Sequence, residues 1–190
     1  MTDHLNHRRT LVETTMRLVA DSGWQSLTFA TIAAESGLSL SQIRHLAPMK
    51  SALICCLNDE IDATVLRAIT EDAFGEETPR ERLLEVLLQR FDALKPYKPG
   101  LKRLANDLRY DPALGTLLTM LLPRSLAWML EAARIPLSGW SAPLKVAGLT
   151  GLYLRAMRVW LTDDSEDGSK TMAELDRLLK EAERYAKRFA

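Results

Sequence analysis

Leu27-Thr28-Phe29-Ala30-Thr31-Ile32-Ala33 and, shortly after, Ser36-Gly37-Leu38-Ser39-Leu40-Ser41-Gln42 are the most informative stretches of this chain. Thr28 opens a short helix carrying Ile32 and Ala33, and Gly37 ends it. Ser39 begins a second short helix. Gln42 stands three residues on, so the serine hydroxyl accepts from the first turn while the glutamine reaches back, a capping box. Two short helices joined by Ser36-Gly37-Leu38 form a helix-turn-helix pattern.

Working outward, the pattern stays helical. Upstream, Leu5, Leu11, Val12, Thr15, Leu18 and Val19 recur at helical spacing, and Gly23 stops that helix. Downstream, Pro48 interrupts, and Leu53, Leu57, Ile61, Val65 and Ile69 predict a long helix from about Met49 to Asp72. Residues 75–78 read as a loop. Thr78-Pro79-Arg80-Glu81 is a helix start, followed by Leu83, Leu84, Leu87, Leu88 and Phe91. Residues 95–100 read as a proline-rich turn into a helix over 101–108. Asp111-Pro112 starts the next helix, which reaches about Arg134, and Pro123 inside it predicts a kink. Residues 144–161 are apolar nearly all round, so that helix must be covered on most sides. Residues 163–169 read as an acidic, solvated loop. Thr171-Met172-Ala173-Glu174 reads as a second capping box, opening a last helix striped by Met172, Leu175, Leu178, Leu179, Ala182, Tyr185 and Phe189. The count is nine helices and no strand: an all-α chain with a small head (1–50) and a larger body (51–190).

Composition narrows the function. The 190 residues are 47% hydrophobic and 26% charged, a globular balance rather than a disordered one. Lys plus Arg and Asp plus Glu are each 25, which excludes a polyanion-coating protein but not one touching DNA through a small patch. The head has five cations (Arg8, Arg9, Arg17, Arg44, Lys50) against four acids (Asp3, Glu13, Asp21, Glu35). Cys55 and Cys56 are helix neighbours about 100° apart, poorly placed to bridge. They read as inert, reduced thiols in a cytoplasmic protein. Residues 1–9 are polar, unlike a signal peptide, and no apolar run is expected to reach membrane-spanning length. No nucleophile–base–acid set or phosphate-cradling loop is present, so no enzyme is expected. Asp163, Asp164, Glu166 and Asp167 lack calcium-loop spacing, and His4 and His7 lack further ligands. No metal or cofactor is expected.

With the head motif completed by Pro48-Met49-Lys50-Ser51-Ala52-Leu53, and six larger helices behind it, the chain resembles the TetR family of one-component transcriptional regulators. That resemblance implies a homodimeric repressor that binds palindromic operator DNA and responds to a small apolar ligand. It implies DNA contacts from Thr28, Ser39, Leu40, Ser41, Gln42, Arg44, His45 and Lys50. Gln42 is suited to adenine, while Arg44, His45 and Lys50 suit phosphates. Leu40 presents an apolar side chain near the groove. The ligand cavity is implied at Phe91, Leu104, Met120 and Trp128, residues that composition alone would place in the core. The helices over 144–161 and 171–189 are expected to form the dimer interface. The chain departs from the family at Arg44, His45, Leu46 and Ala47, where a tyrosine, a basic residue and a phenylalanine are usual, and at Met49, where a capping serine is usual. Residues 151–179, with Tyr153, Trp160-Leu161, Asp163-Asp164-Ser165, Thr171-Met172 and Leu175-Asp176, also resemble the TetR-fold lipid-binding proteins of ubiquinone biosynthesis. This second resemblance implies an accessory lipid carrier with a vestigial head, whose Lys180, Arg184, Lys187 and Arg188 would face an anionic membrane.

Overall fold

The computed structural model describes residues 2–69, 74–165 and 167–189, with side chains from residue 6 to residue 185. The expected helix end at Asp72, Glu166, and the side chains of His4, Leu5, Lys187, Arg188 and Phe189 lie outside the described residues. Among the described residues there are nine α-helices, two short 3-10 turns and no strand. The helices are α1 (Thr2–Ser22), α2 (Phe29–Ser36), α3 (Leu40–Leu46), α4 (Lys50–Ala68), α5 (Pro79–Leu94), α6 (Lys98–Asp107), α7 (Pro112–Ala132), α8 (Ala142–Thr162) and α9 (Ser169–Phe189). The chain divides into two compact units, Met1–Ala63 with Leu94–Leu121, and Thr64–Ala93 with Leu122–Ala190.

The first unit is organised by α1, which packs on α2, α3 and α6. Its Leu11, Val12, Met16, Leu18 and Val19 are buried together with Ile32 of α2, Ile43 of α3 and Leu53, Ile54, Leu57 and Ile61 of α4. Helix α6 approaches α1 closely at Gly100, where a Cβ would overlap the Met16 carbonyl oxygen. Only glycine fits that crossing. The expected turn over 95–100 is therefore shorter than its prolines implied. Residues 95–97 form a 3-10 turn, and α6 already begins at Lys98. Pro99 sits in its first turn, where a missing N–H breaks no helical bond.

In the second unit, α8 and α9 pack on each other. Phe91 of α5 stacks on Tyr153 of α8 at 5.1 Å between ring centroids and lies 5.5 Å from Trp160. Arg90 donates from Nε to the Tyr153 hydroxyl at 3.2 Å. Leu126, Met129 and Leu130 of α7 and Leu175, Leu178 and Leu179 of α9 are buried. Met172 and Tyr185, expected on the same buried stripe, are exposed. Along α8, the turns of Leu149, Tyr153, Ala156 and Trp160 are covered. Leu144, Ala147, Gly148, Gly151 and Leu154 face outward, so this helix is not covered on most sides. Helix α7 continues through Pro123. Its 21 residues are long and apolar enough to cross a membrane by length and composition, which corrects the expectation that no run reaches that length. Leu126, Met129 and Leu130 are buried, while most of the apolar length of this helix is not.

The start of α9 differs from its sequence reading. The helix opens at Ser169, so Thr171 lies within the first turn and the Thr171–Glu174 capping box does not form. The cap comes from Asp163 instead. Its Oδ2 accepts from the Thr171 N–H at 2.9 Å and the Thr171 hydroxyl at 2.7 Å. Its Oδ1 accepts from the Ser165 N–H at 3.1 Å and from the Ser165 hydroxyl. Glu174 turns away to Arg177 at 2.7 Å and Arg155 at 3.1 Å. Asp163 is thus a buried structural group rather than part of a solvated acidic loop. The hydrogen bonds from Ser165 and Thr171 hold its carboxyl far below the usual carboxylate range.

A carboxylate with a depressed native pKa stabilises the fold above its unfolded pKa and loses that contribution as pH falls. Asp163→Ala is expected to cost about 1–3 kcal/mol at neutral pH, since Thr171 keeps buried donors without their charged acceptor. Denaturant titrations should show the gap to the wild type narrowing below about pH 4. A gap unchanged in acid would show that the carboxylate charge is not what holds α9.

Candidate nucleic-acid interface

Helix α2 starts where the Thr28 backbone is extended and its hydroxyl accepts from the Thr31 N–H at 3.1 Å. It stops at Gly37, whose φ of 70° is left-handed and whose N–H returns to the Ala33 carbonyl. A residue with a side chain would be strained there. Leu38 is buried and turns the chain into α3. The Ser39 Oγ accepts from the Gln42 N–H at 3.2 Å, and the Gln42 Oε1 accepts from the Ser39 N–H at 2.8 Å. The capping box read from the sequence is therefore complete.

Ile43 and Ala47, both 1% exposed, fix the inner side of α3. The phenylalanine usual in the family is replaced by an alanine that is nonetheless buried. The outer side presents Leu40, Ser41, Arg44 and His45, all exposed, and Leu40 and Arg44 share one edge at i and i+4. Thr28, Ser39 and Gln42 are exposed on the same helix-turn-helix, but the two hydroxyls and the Gln42 amide oxygen are engaged in caps. A bidentate pair between Gln42 and adenine needs both amide atoms, and Oε1 is already committed to Ser39.

Lys50 is held differently from the other candidates. Its Nζ donates to the Gln25 carbonyl at 3.2 Å and lies 4.9 Å from the Trp24 ring centroid. Partial burial lowers its pKa from the ordinary lysine value, and Asp111 works against that shift. Trp24 itself donates its backbone N–H to Asp107 at 2.8 Å, and Gln25 donates to Asp111 at 3.2 Å. Asp107 and Asp111 had no local signal for this role, because their partners lie more than 80 residues upstream. Behind α3, the buried Cys56 thiol donates to the Leu46 carbonyl at 3.5 Å, and burial raises its pKa. Cys55 is half-buried.

The four ligand candidates are not brought together within either unit. Leu104 is buried and Met120 is 66% exposed, both in the first unit. Phe91 is buried in the aromatic stack and Trp128 is 59% exposed, both in the second. Among the described residues, no group of three or more His, Cys, Asp or Glu side chains is placed to hold a metal.

No family model matches the chain. It is 29% identical over 87 residues to the HTH-type transcriptional regulator PksA of Bacillus subtilis, a match spanning 46% of this chain and 42% of that protein. The chain thus aligns with less than half the length of that relative. It is similar over most of its length to the crystal structure of a TetR transcriptional regulator from Nitrosomonas europaea, with 25% identity and a TM-score of 0.75, covering 92% of this chain and 96% of that one. A TetR transcriptional regulator from Rhodococcus sp. RHA1 shares the fold at 16% identity and a TM-score of 0.56, covering 92% and 95%. The chain therefore has the all-helical fold of TetR-family transcriptional regulators, with the helix-turn-helix in its first unit.

Ser39→Ala and Gln42→Ala are each expected to cost about 1 kcal/mol in thermal or denaturant unfolding, because each removes one arm of the box. The double variant should cost clearly less than the sum, since the arms act as one unit. Strict additivity would show that the two residues act separately.

Proposed function

We propose that the chain is a one-component transcriptional regulator, a repressor that binds palindromic operator DNA as a homodimer and is released by a small apolar ligand. The exposed outer side of α3, on a helix held rigid by a complete capping box, is the observation that carries this reading. In a helix-turn-helix the second helix lies in the major groove. Ser41 and Leu40 then face base edges, while Arg44, His45 and Thr28 face phosphates. Ser39 and Gln42 chiefly hold the helix in shape, with the Gln42 Nε2 still able to donate to a base. Lys50 has two further donors after serving Gln25, enough to share a phosphate.

For the homodimer, the support is the row Leu144, Ala147, Gly148, Gly151 and Leu154 on α8. Small residues between two leucines allow another helix to approach closely, and a second copy supplies one. The releasing ligand is proposed to be small and apolar. Whatever factor it takes from DNA affinity, DNA must take from ligand affinity. Of the α9 cations read as facing an anionic membrane, Lys180 is paired with Asp176 at 2.6 Å, while Arg184 is exposed.

Selection of bound fragments from random-sequence DNA at moderate salt is expected to return one palindrome. Binding should weaken with salt less steeply than for a strongly basic repressor. Arg44→Ala should weaken binding to all sequences alike. No palindrome, with lipid co-purifying instead, would overturn the reading in favour of a lipid carrier.

Sedimentation at micromolar concentration is expected to show a dimer. Leu154→Arg, on the outward row of α8, should give monomers or aggregates. A monomeric wild type would remove the homodimer.

A further inference from the structure

We propose that Leu40 reads the 5-methyl group of a thymine, so that one base pair of each half-site is recognised through a methyl contact. This rests on the DNA-binding reading above and adds the chemistry by which one position is chosen. Leu40 is 56% exposed although it follows directly on the capped turn of α3. The core does not need it, because Leu38, Ile43 and Ala47 already supply the buried side of this segment. A single exposed leucine on a protein surface calls for no explanation. This one shares an edge with Arg44 and adjoins Ser41 on the helix proposed to enter the groove.

The neighbouring side chains narrow what it can contact. Arg44 carries a fixed charge and a fork of donors suited to phosphate or guanine. Ser41 is small and serves as donor or acceptor, so it discriminates poorly. Gln42 has its amide oxygen in the capping box. The large apolar group among them is Leu40. Of the four base-pair orientations seen from the major groove, the apolar group on offer is the thymine methyl. A leucine beside it gains by removing both from water, whereas beside a cytosine amino group it would strip hydration and return nothing. The apolar contact therefore selects as well as attracts.

The test uses the full chain and the palindrome returned by random-sequence selection, with each thymine replaced in turn by deoxyuridine, which lacks only the methyl. At one symmetric position the wild type is expected to lose about fourfold in affinity per methyl removed, and about fifteenfold when both half-sites are changed. Leu40→Ala should bind thymine and deoxyuridine duplexes equally at that position. Its thermal unfolding should match the wild type, because the side chain is exposed. A wild type indifferent to deoxyuridine at every position overturns this inference and leaves the DNA-binding reading standing. So does a Leu40→Ala variant that keeps the methyl dependence. No binding to any duplex overturns both.

Discussion

A helix of seven residues does not hold itself together in water, because the cost of its first turn is recovered over too few further hydrogen bonds. Helix α3 has that length, and the candidate DNA contacts depend on it. Two things keep it formed. Ser39 and Gln42 satisfy each other's backbone N–H groups at its start, and Ile43 and Ala47 anchor its inner side. Helix α1, whose Leu11, Val12, Met16 and Val19 are buried, packs on α3 and on α2. The geometry of the outer side is thus set by groups that never touch a ligand.

Much of this was legible in the sequence because it is local. The Thr28 opening of α2, the Ser39 capping box, the Gly37 stop and the Thr78–Glu81 start each involve residues within four positions of one another, and each forms as read. The start of α9 was misread for a related reason. Thr171 and Glu174 have capping-box spacing, but Asp163, eight residues earlier, offers a charged acceptor that a local pattern does not register. Long-range contacts were invisible altogether. Nothing in residues 95–100 announces that Gly100 must lie against Met16, so prolines that accommodate a helix start were read as a turn. At the candidate site, the residue types were readable while their engagement was not. Gln42 and Lys50 looked like free contact groups and are already hydrogen-bonded within the protein.

The loop after α1 shows how those distant contacts serve the head. Trp24 is buried, and its backbone N–H would be costly to leave unpaired. Asp107, in the last turn of α6, accepts it, and Asp111 takes the Gln25 side chain while also capping α7 through the Leu114 N–H. Lys50 closes the same loop from the start of α4. Exposed ion pairs and side-chain hydrogen bonds contribute little one by one. Here they share one buried aromatic residue and one backbone segment, so α1, α4 and α6 meet at a common point within the first unit.

The charges of the head bear on how a regulator of this kind would find its site. Arg9 pairs with Glu13, Arg17 with Glu35 and Arg8 with Asp59. Such exposed pairs rearrange readily, but each acid offsets part of the field that would draw in a phosphate backbone. Sequence-independent binding to DNA is built mainly from cations that neutralise phosphates and release counterions. In the proposed regulator that background is small, so discrimination does not have to overcome strong attachment to random DNA. The same weakness means that affinity must come from contacts repeated in both half-sites. Two heads with modest charge, each reading a few base edges, become effective only when one dimer binds both at once. The small net charge of residues 1–50 and the outward row of small residues on α8 both fit the proposed dimeric regulator.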